Sequence, residues 1–161
     1  MKELLINLWF SFSLVLIIIL FGMDQFLKIW VATHLSLISS VTIIPGILSL
    51  TDVRNHGAAW SILQNQQWLF MVIAIVVLVI LGYYLWKCRY DYRYDLSLSL
   101  LIAGTAGNLL SRFLHHAVID MFQLDFIQFP IFNVADASLT IGVLFLIILI
   151  STNQKVRGNP L

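Results

Sequence analysis

Asp120 and Asp136 are where the residue types of this chain point to chemistry. Each stands one or two residues from an abrupt change in chain character, and an ionised carboxylate beside hydrocarbon is costly enough that a pair of them marks a functional site. Two close aspartates cannot both ionise cheaply. They share a proton over a broad pH range, so one can act as base toward a water while the other acts as acid toward a carbonyl. Other chemistries find less support. His34, His56, His115 and His116 come without H-E-x-x-H or Cys/His spacing, so no metal is expected. No serine sits in a G-x-S-x-G context.

The elements that must carry these aspartates are membrane elements. Of 161 residues, 60% are apolar and 11% charged, and the charges fall in short clusters. Crossing about 30 Å of hydrocarbon takes roughly 20 helical residues. Leu4 to Met23, Trp68 to Trp86, Leu96 to Ser111 and Ala137 to Gln154 carry no charge. They predict an all-α membrane protein of four transmembrane helices, with approximate spans 6–26, 68–86, 96–114 and 136–154, in one domain over residues 1–161. The first span exceeds a usual signal-peptide core, and no small-x-small cleavage site follows it, so it is expected to stay on the protein.

If the spans alternate, Lys2, Lys87, Arg89, Arg93, Lys155 and Arg157 share one side, against Lys28, Arg54 and Arg112 on the other. Both termini are therefore expected in the cytoplasm. A net charge of +1 gives no reason to expect nucleic acid, and Cys88, alone, can form no internal disulfide. The connection from Lys87 to Asp95 reads as a solvated, Tyr-rich turn. The outer segment between the first and second spans is different. S-V-T-I-I-P-G-I-L-S-L, from Ser40 to Leu50, punctuated by Pro45-Gly46, predicts a small β-element against the membrane surface at about 40–63. Behind it, Gly57, Ala58 and Ala59 lack bulk, which suits either close approach of a substrate backbone or simple packing on helix ends.

The polar residues gather at one outer level, with no polar path across the membrane. Asp24 and Lys28 are four apart in the better order for a helical ion pair, worth a few tenths of a kcal/mol if exposed. Asn108 and Arg112 share a helix face, and an Arg that cannot snorkel needs a carboxylate, for which Asp120 lies eight residues on. Asn133 and Asp136 bracket the start of the fourth span, where an acid also suits the helix dipole. From the residues alone, three readings stand. The first is an aspartic peptidase. The second is an ion-coupled carrier with Asp120, Asp136 and Arg112 as a relay, which would need polar groups through the full depth. The third is a scaffold displaying its outer segment, which leaves the carboxylates unexplained.

D-Q-F-L-K (Asp24 to Lys28), N-H-G-A-A-W (Asn55 to Trp60), G-N-L-L-S-R (Gly107 to Arg112), V-I-D-M-F (Val118 to Phe122) and F-N-V-A-D-A-S (Phe132 to Ser138) together resemble lipoprotein signal peptidase, also called signal peptidase II. The resemblance implies an intramembrane aspartic peptidase of the bacterial cytoplasmic membrane, active at its extracytoplasmic side, that needs no cofactor. It would cut diacylglyceryl-modified prolipoproteins just before the lipidated Cys. Asp120 and Asp136 would be its catalytic pair, and Asp24, Lys28, Asn55, Gly57, Asn108, Arg112, Asn133 and Ala135 its substrate-binding set. The β-element would be its cradle over the site. Prolipoprotein and membrane lipid would be its partners, and the chain would act as a monomer. Two positions depart from the family pattern: Ser111 where many relatives carry Asp, and His56 where Asn is common.

Overall fold

Helices form over the uncharged stretches and run past them at both ends. The computed structural model describes the backbone of residues 2–37, 39–57 and 66–157, and the side chains of 8–37, 39–57 and 66–152. The helices are α1 (Lys2–His34), α2 (Gln67–Cys88), α3 (Tyr92–His115) and α4 (Val134–Arg157). Each holds a stretch long and apolar enough to cross a membrane: 8–34, 67–88, 92–115 and 134–152. The helix α1 continues eight residues beyond the expected end at 26. Asp24 and Lys28 explain the extension, since both are 1% exposed and pair inside the bundle, so they do not end the buried stretch.

At the centre stands α3, the least apolar span, buried over more than half of its most apolar stretch and packed against α1, α2 and α4. Its inward face is small and polar, with Ser97, Ser99, Ala103, Gly104, Thr105, Gly107, Asn108 and Ser111 all buried. In lipid there is little hydrophobic drive between helices, so small residues that admit close backbone approach do the packing. A Cβ on Gly104 would lie 2.5 Å from the Ala135 carbonyl oxygen and 2.7 Å from Leu139 Cγ. One on Gly107 would lie 2.5 Å from an Asp24 carboxylate oxygen. By contrast α2 buries only Gln67 and Leu85 and presents an aliphatic surface.

Substitution at these glycines should separate packing from propensity. Gly104→Ala is expected to cost about 1–3 kcal/mol by overpacking against the α4 backbone, while Gly22→Ala, with nothing within 4 Å of its Cβ, should be neutral or mildly stabilising. Unfolding temperatures of the two purified variants check this. Equal values would mean that α3 and α4 are not held at this separation.

Above the helices lies a three-stranded antiparallel sheet in the order β1-β2-β3: β1 (Ser40–Ile44), β2 (Leu48–Asn55) and β3 (Val118–Leu124). Pro45 and Gly46 make the first turn, closed by Ile47 N–H to the Ile44 carbonyl at 3.0 Å, with Gly46 at φ +72°. Proline and a positive-φ glycine in these places are what a type II turn requires. The expected β-element at 40–63 is therefore present through Asn55; residues 58–63 lie outside the described residues. Its third strand comes from beyond α3. Ile119 and Met121 of β3 pack with Val31 of α1, and the period of two sends Asp120 to the opposite face.

Candidate active site

Asp136 reaches its place through the start of α4. The Asn133 side chain accepts from Asp136 N–H at 2.8 Å, and an Asp136 carboxylate oxygen accepts from Asn133 N–H at 3.2 Å. This is a reciprocal capping box with Asn and Asp in the two roles. The other Asp136 oxygen accepts from Asn108 Nδ2 of α3 at 2.8 Å. Asp120, 3% exposed on β3, accepts from Asn133 Nδ2 at 2.7 Å and from Asn55 Nδ2 of β2 at 3.0 Å. Asn133 thus meets both carboxyl groups, that of Asp120 through its side-chain Nδ2 and that of Asp136 through its backbone N–H. Burial, and then the neighbouring Asp136, push the Asp120 carboxyl up to about 7, against the opposing pull of the Asn55 and Asn133 hydrogen bonds and of Lys28.

Both aspartates face a cleft of about 1150 Å³. Asn55, Gly57, Asn108 and Arg112 join them at its polar end, and Val53, Leu124, Phe129, Ile131, Leu139 and Ile141 make much of the remainder apolar, with Arg54, Gln128 and Thr140 also on its wall. The other four residues expected to bind substrate do not line the cleft. Asp24, Lys28, Asn133 and Ala135 are buried behind its wall. There Asp24 accepts from Ala135 N–H at 3.0 Å, satisfying a free donor at the first turn of α4, and pairs with Lys28 at 2.8 Å. Lys28 Nζ also donates to Asn108 Oδ1 at 2.9 Å. This interlocked pair is not the exposed helix-end pair of the sequence reading.

Arg112 does not meet Asp120 in an ion pair; the ion pairs among the described residues are Asp24–Lys28, Asp52–Arg54 and Asp91–Arg93. Its guanidinium stacks on Phe70 at 4.9 Å and donates, at long range, to the Gly57 and Asn108 carbonyls at 3.4 and 3.5 Å. Its Nε has no partner among the described residues. Such an arginine keeps donor capacity for a guest in the cleft. Ser111 turns away, bonding back to the Gly107 carbonyl at 3.2 Å, so it gives Arg112 no support.

Sequence reasoning missed two neighbours. Gln67, buried at the start of α2, donates to the His56 carbonyl, and Phe70 carries the Arg112 stack. Position at the mouth of a span was the available signal for Gln67; Phe70 looked like any lipid-facing residue. A second difference lies at the far end of α3, where Asp95, expected in a solvated turn, is 1% exposed with neither carboxylate oxygen paired among the described residues. The polar residues are thus not confined to one level, although Leu101 and Ala103 fill the buried face between Ser99 and Gly104.

Four membrane-capable helices with a linked carboxyl pair at the head of a half-apolar cleft define a multi-pass membrane protein with an enzyme-like polar centre. Residues 16–152 match the family model described as signal peptidase (SPase) II. A lipoprotein signal peptidase from Lactiplantibacillus plantarum is 47% identical over 135 residues, 84% of this chain and 91% of the relative. Those of Streptococcus agalactiae and Lactococcus lactis subsp. lactis are 47% and 41% identical, each over 90% of this chain and 94% and 97% of theirs. A solved bacterial membrane enzyme superposes with a TM-score of 0.89 at 34% identity over 94% of both chains. A second gives 0.81 at 37% identity over 87% of this chain and 92% of its own. The chain belongs to the signal peptidase II family.

Proposed function

We propose that this peptidase is of the aspartic type and removes the signal peptide from diacylglyceryl-modified prolipoproteins, cutting immediately before the lipidated Cys, with Asp120 and Asp136 as its catalytic pair. The observation that carries the reading is Asn133 joining two carboxyl groups at the polar end of the cleft, Asp120 through its side-chain Nδ2 and Asp136 through its backbone N–H. One carboxylate takes a proton from water as the oxygen attacks the scissile carbonyl, and the other, protonated, gives its proton to the carbonyl oxygen. Collapse of the tetrahedral intermediate breaks the C–N bond. The proton taken from water goes to the departing Cys amine, a hydroxyl proton of the intermediate returns to the other carboxylate, and the upstream residue leaves as a new carboxylic acid. Arg112, Asn55 and the Gly57 backbone bind the extended chain beside the pair. Asn108 and Asn133 orient the carboxyl groups, while Asp24, Lys28 and Ala135 hold those two asparagines and the start of α4.

The apolar end of the cleft suits the lipid and the apolar part of the signal sequence. The Lys/Arg asymmetry supports cytoplasmic termini and an extracytoplasmic site. The whole chain is read as one membrane-embedded domain acting as a monomer. In an assay with purified protein, a diacylglyceryl-modified preprolipoprotein should be cut before its lipidated Cys, and the unlipidated form should be cut at least a hundredfold more slowly. Each buried acyl CH₂ contributes about 0.8 kcal/mol toward presenting the bond at membrane depth. Equal rates on both would remove lipid recognition from the proposal.

A further inference from the structure

Asn55 serves the site only while its amide points the right way. Its Oδ1 accepts from Gly57 N–H at 2.9 Å, an Asx turn that leaves Nδ2 to face Asp120. The residue inside that turn, His56, is fastened on two sides. Its ring Nδ1 lies 3.2 Å from the His116 carbonyl, and its own carbonyl accepts from Gln67 Nε2. His116 is the left-handed cap of α3, at φ 50°, and bonds back to the Arg112 carbonyl. Gln67 is the first residue of α2 and holds its Oε1 buried with no partner among the described residues. A buried amide oxygen left unpaired is a cost, accepted here where the amide nitrogen secures the turn.

We propose that His56 and Gln67 are positioning residues, tying the Asn55–Gly57 turn to α3 and α2 and thereby aiming the Asn55 amide at Asp120. This rests on the reading of Asp120 as catalytic. The contact to a carbonyl requires the proton on Nδ1 of His56, which defines its replacement. Asn carries its Nδ2 at the same number of bonds from Cβ as His Nδ1 and can make the same bond; Leu cannot. At Gln67, Glu keeps the shape but sets a carboxylate oxygen against the His56 carbonyl.

Loss of one such neutral bond corresponds to about a three- to tenfold effect. His56→Leu and Gln67→Glu should each lower kcat by that factor with KM within twofold, and His56→Asn should restore kcat. The pH profile gives a readout that general loosening does not. Asp120 is faced by Asp136 from α4, Lys28 from α1 and Arg112 from α3, all unchanged in these variants, while the Asn55 bond favours its ionised form. Once Asn55 is free to turn, Asp120 keeps its proton to higher pH, and a limb of the profile, which belongs to the coupled pair, moves up.

The experiment is the steady-state cleavage of a lipidated preprolipoprotein from pH 5 to 9 by the purified wild type, His56→Leu, His56→Asn and Gln67→Glu, with Asp120→Asn as control. If His56→Leu folds poorly, Gln67→Glu decides. A wild-type kcat with an unmoved limb, a loss confined to KM, or His56→Asn falling as far as His56→Leu would overturn the positioning role. If Asp120→Asn itself retains cleavage, the catalytic reading fails instead.

Discussion

Asp120→Asn and Asp136→Asn should each lower kcat by about a thousandfold or more, and the double variant should be scarcely worse than either. Positioned proton transfer alone contributes ~10²–10⁴ in rate, and here each carboxyl group is useless without its partner, so the separate losses cannot add. The rate should be bell-shaped in pH. Below the acid limb both carboxyls are protonated and no base remains; above the alkaline limb both are ionised and no acid remains. The two apparent values belong to the pair. Asp120, pushed up from 3.8 to about 7 by burial and by Asp136, also gives stability a definite sign. Between about pH 4 and about pH 7 the folded chain holds a proton that the unfolded chain releases, so this contribution is present at low pH and lost as pH rises through about 7. The unfolding temperature of Asp120→Asn should therefore gain on that of wild type across the same window. Additive losses in the two single variants, or a wild-type rate that climbs without an alkaline limb, would exclude a shared proton.

Much of this site was legible because the residues proposed to perform the chemistry also solve local folding problems. Asp136 reads as a helix-start acid, and it is one: its bond to Asn133 N–H caps α4 while its second oxygen turns to Asn108. A span-and-charge reading located it for that reason. The same reading placed α1 too short, because it treats charge as the edge of the membrane and cannot see Asp24 and Lys28 cancelling each other inside the bundle. Asp95 was misplaced by the same rule, as a charged residue beside Arg93 that the fold buries. The third strand was missed for another cause. In V-I-D-M-F-Q-L only the alternation of Ile119 and Met121 with Asp120 signals a strand, and its partner in β2 lies more than sixty residues away. Register of that kind is set by tertiary pairing, and no local pattern specifies it.

Lys28→Met is the second substitution expected to have a large effect, and it separates holding the fold from tuning the site. In wild type the ammonium is 1% exposed, 2.8 Å from Asp24 and 2.9 Å from Asn108 Oδ1. Its removal leaves Asp24 charged in the bundle with only the Ala135 N–H and Gln25 amide donors, and breaking a buried pair on one side costs about 3–5 kcal/mol. Asp24→Leu strands the ammonium instead and frees the Ala135 N–H, so it should be at least as damaging. The double variant Asp24→Leu/Lys28→Met removes both charges, and its unfolding temperature should recover most of the loss, because two apolar side chains of similar size suit that environment. Activity should not recover with it. Lys28 is the nearer of two donors to Asn108 Oδ1, at 2.9 Å against 3.3 Å for Asn133 Nδ2, and so helps keep Asn108 Nδ2 on Asp136 at 2.8 Å. Without it the amide is held at Oδ1 by the longer Asn133 contact, and kcat should stay at least tenfold down in a protein that folds, the cost of one hydrogen bond to a charged group. Thermal unfolding and steady-state cleavage on the same three preparations decide the matter: a double variant that regains stability and full kcat together would make the pair purely structural.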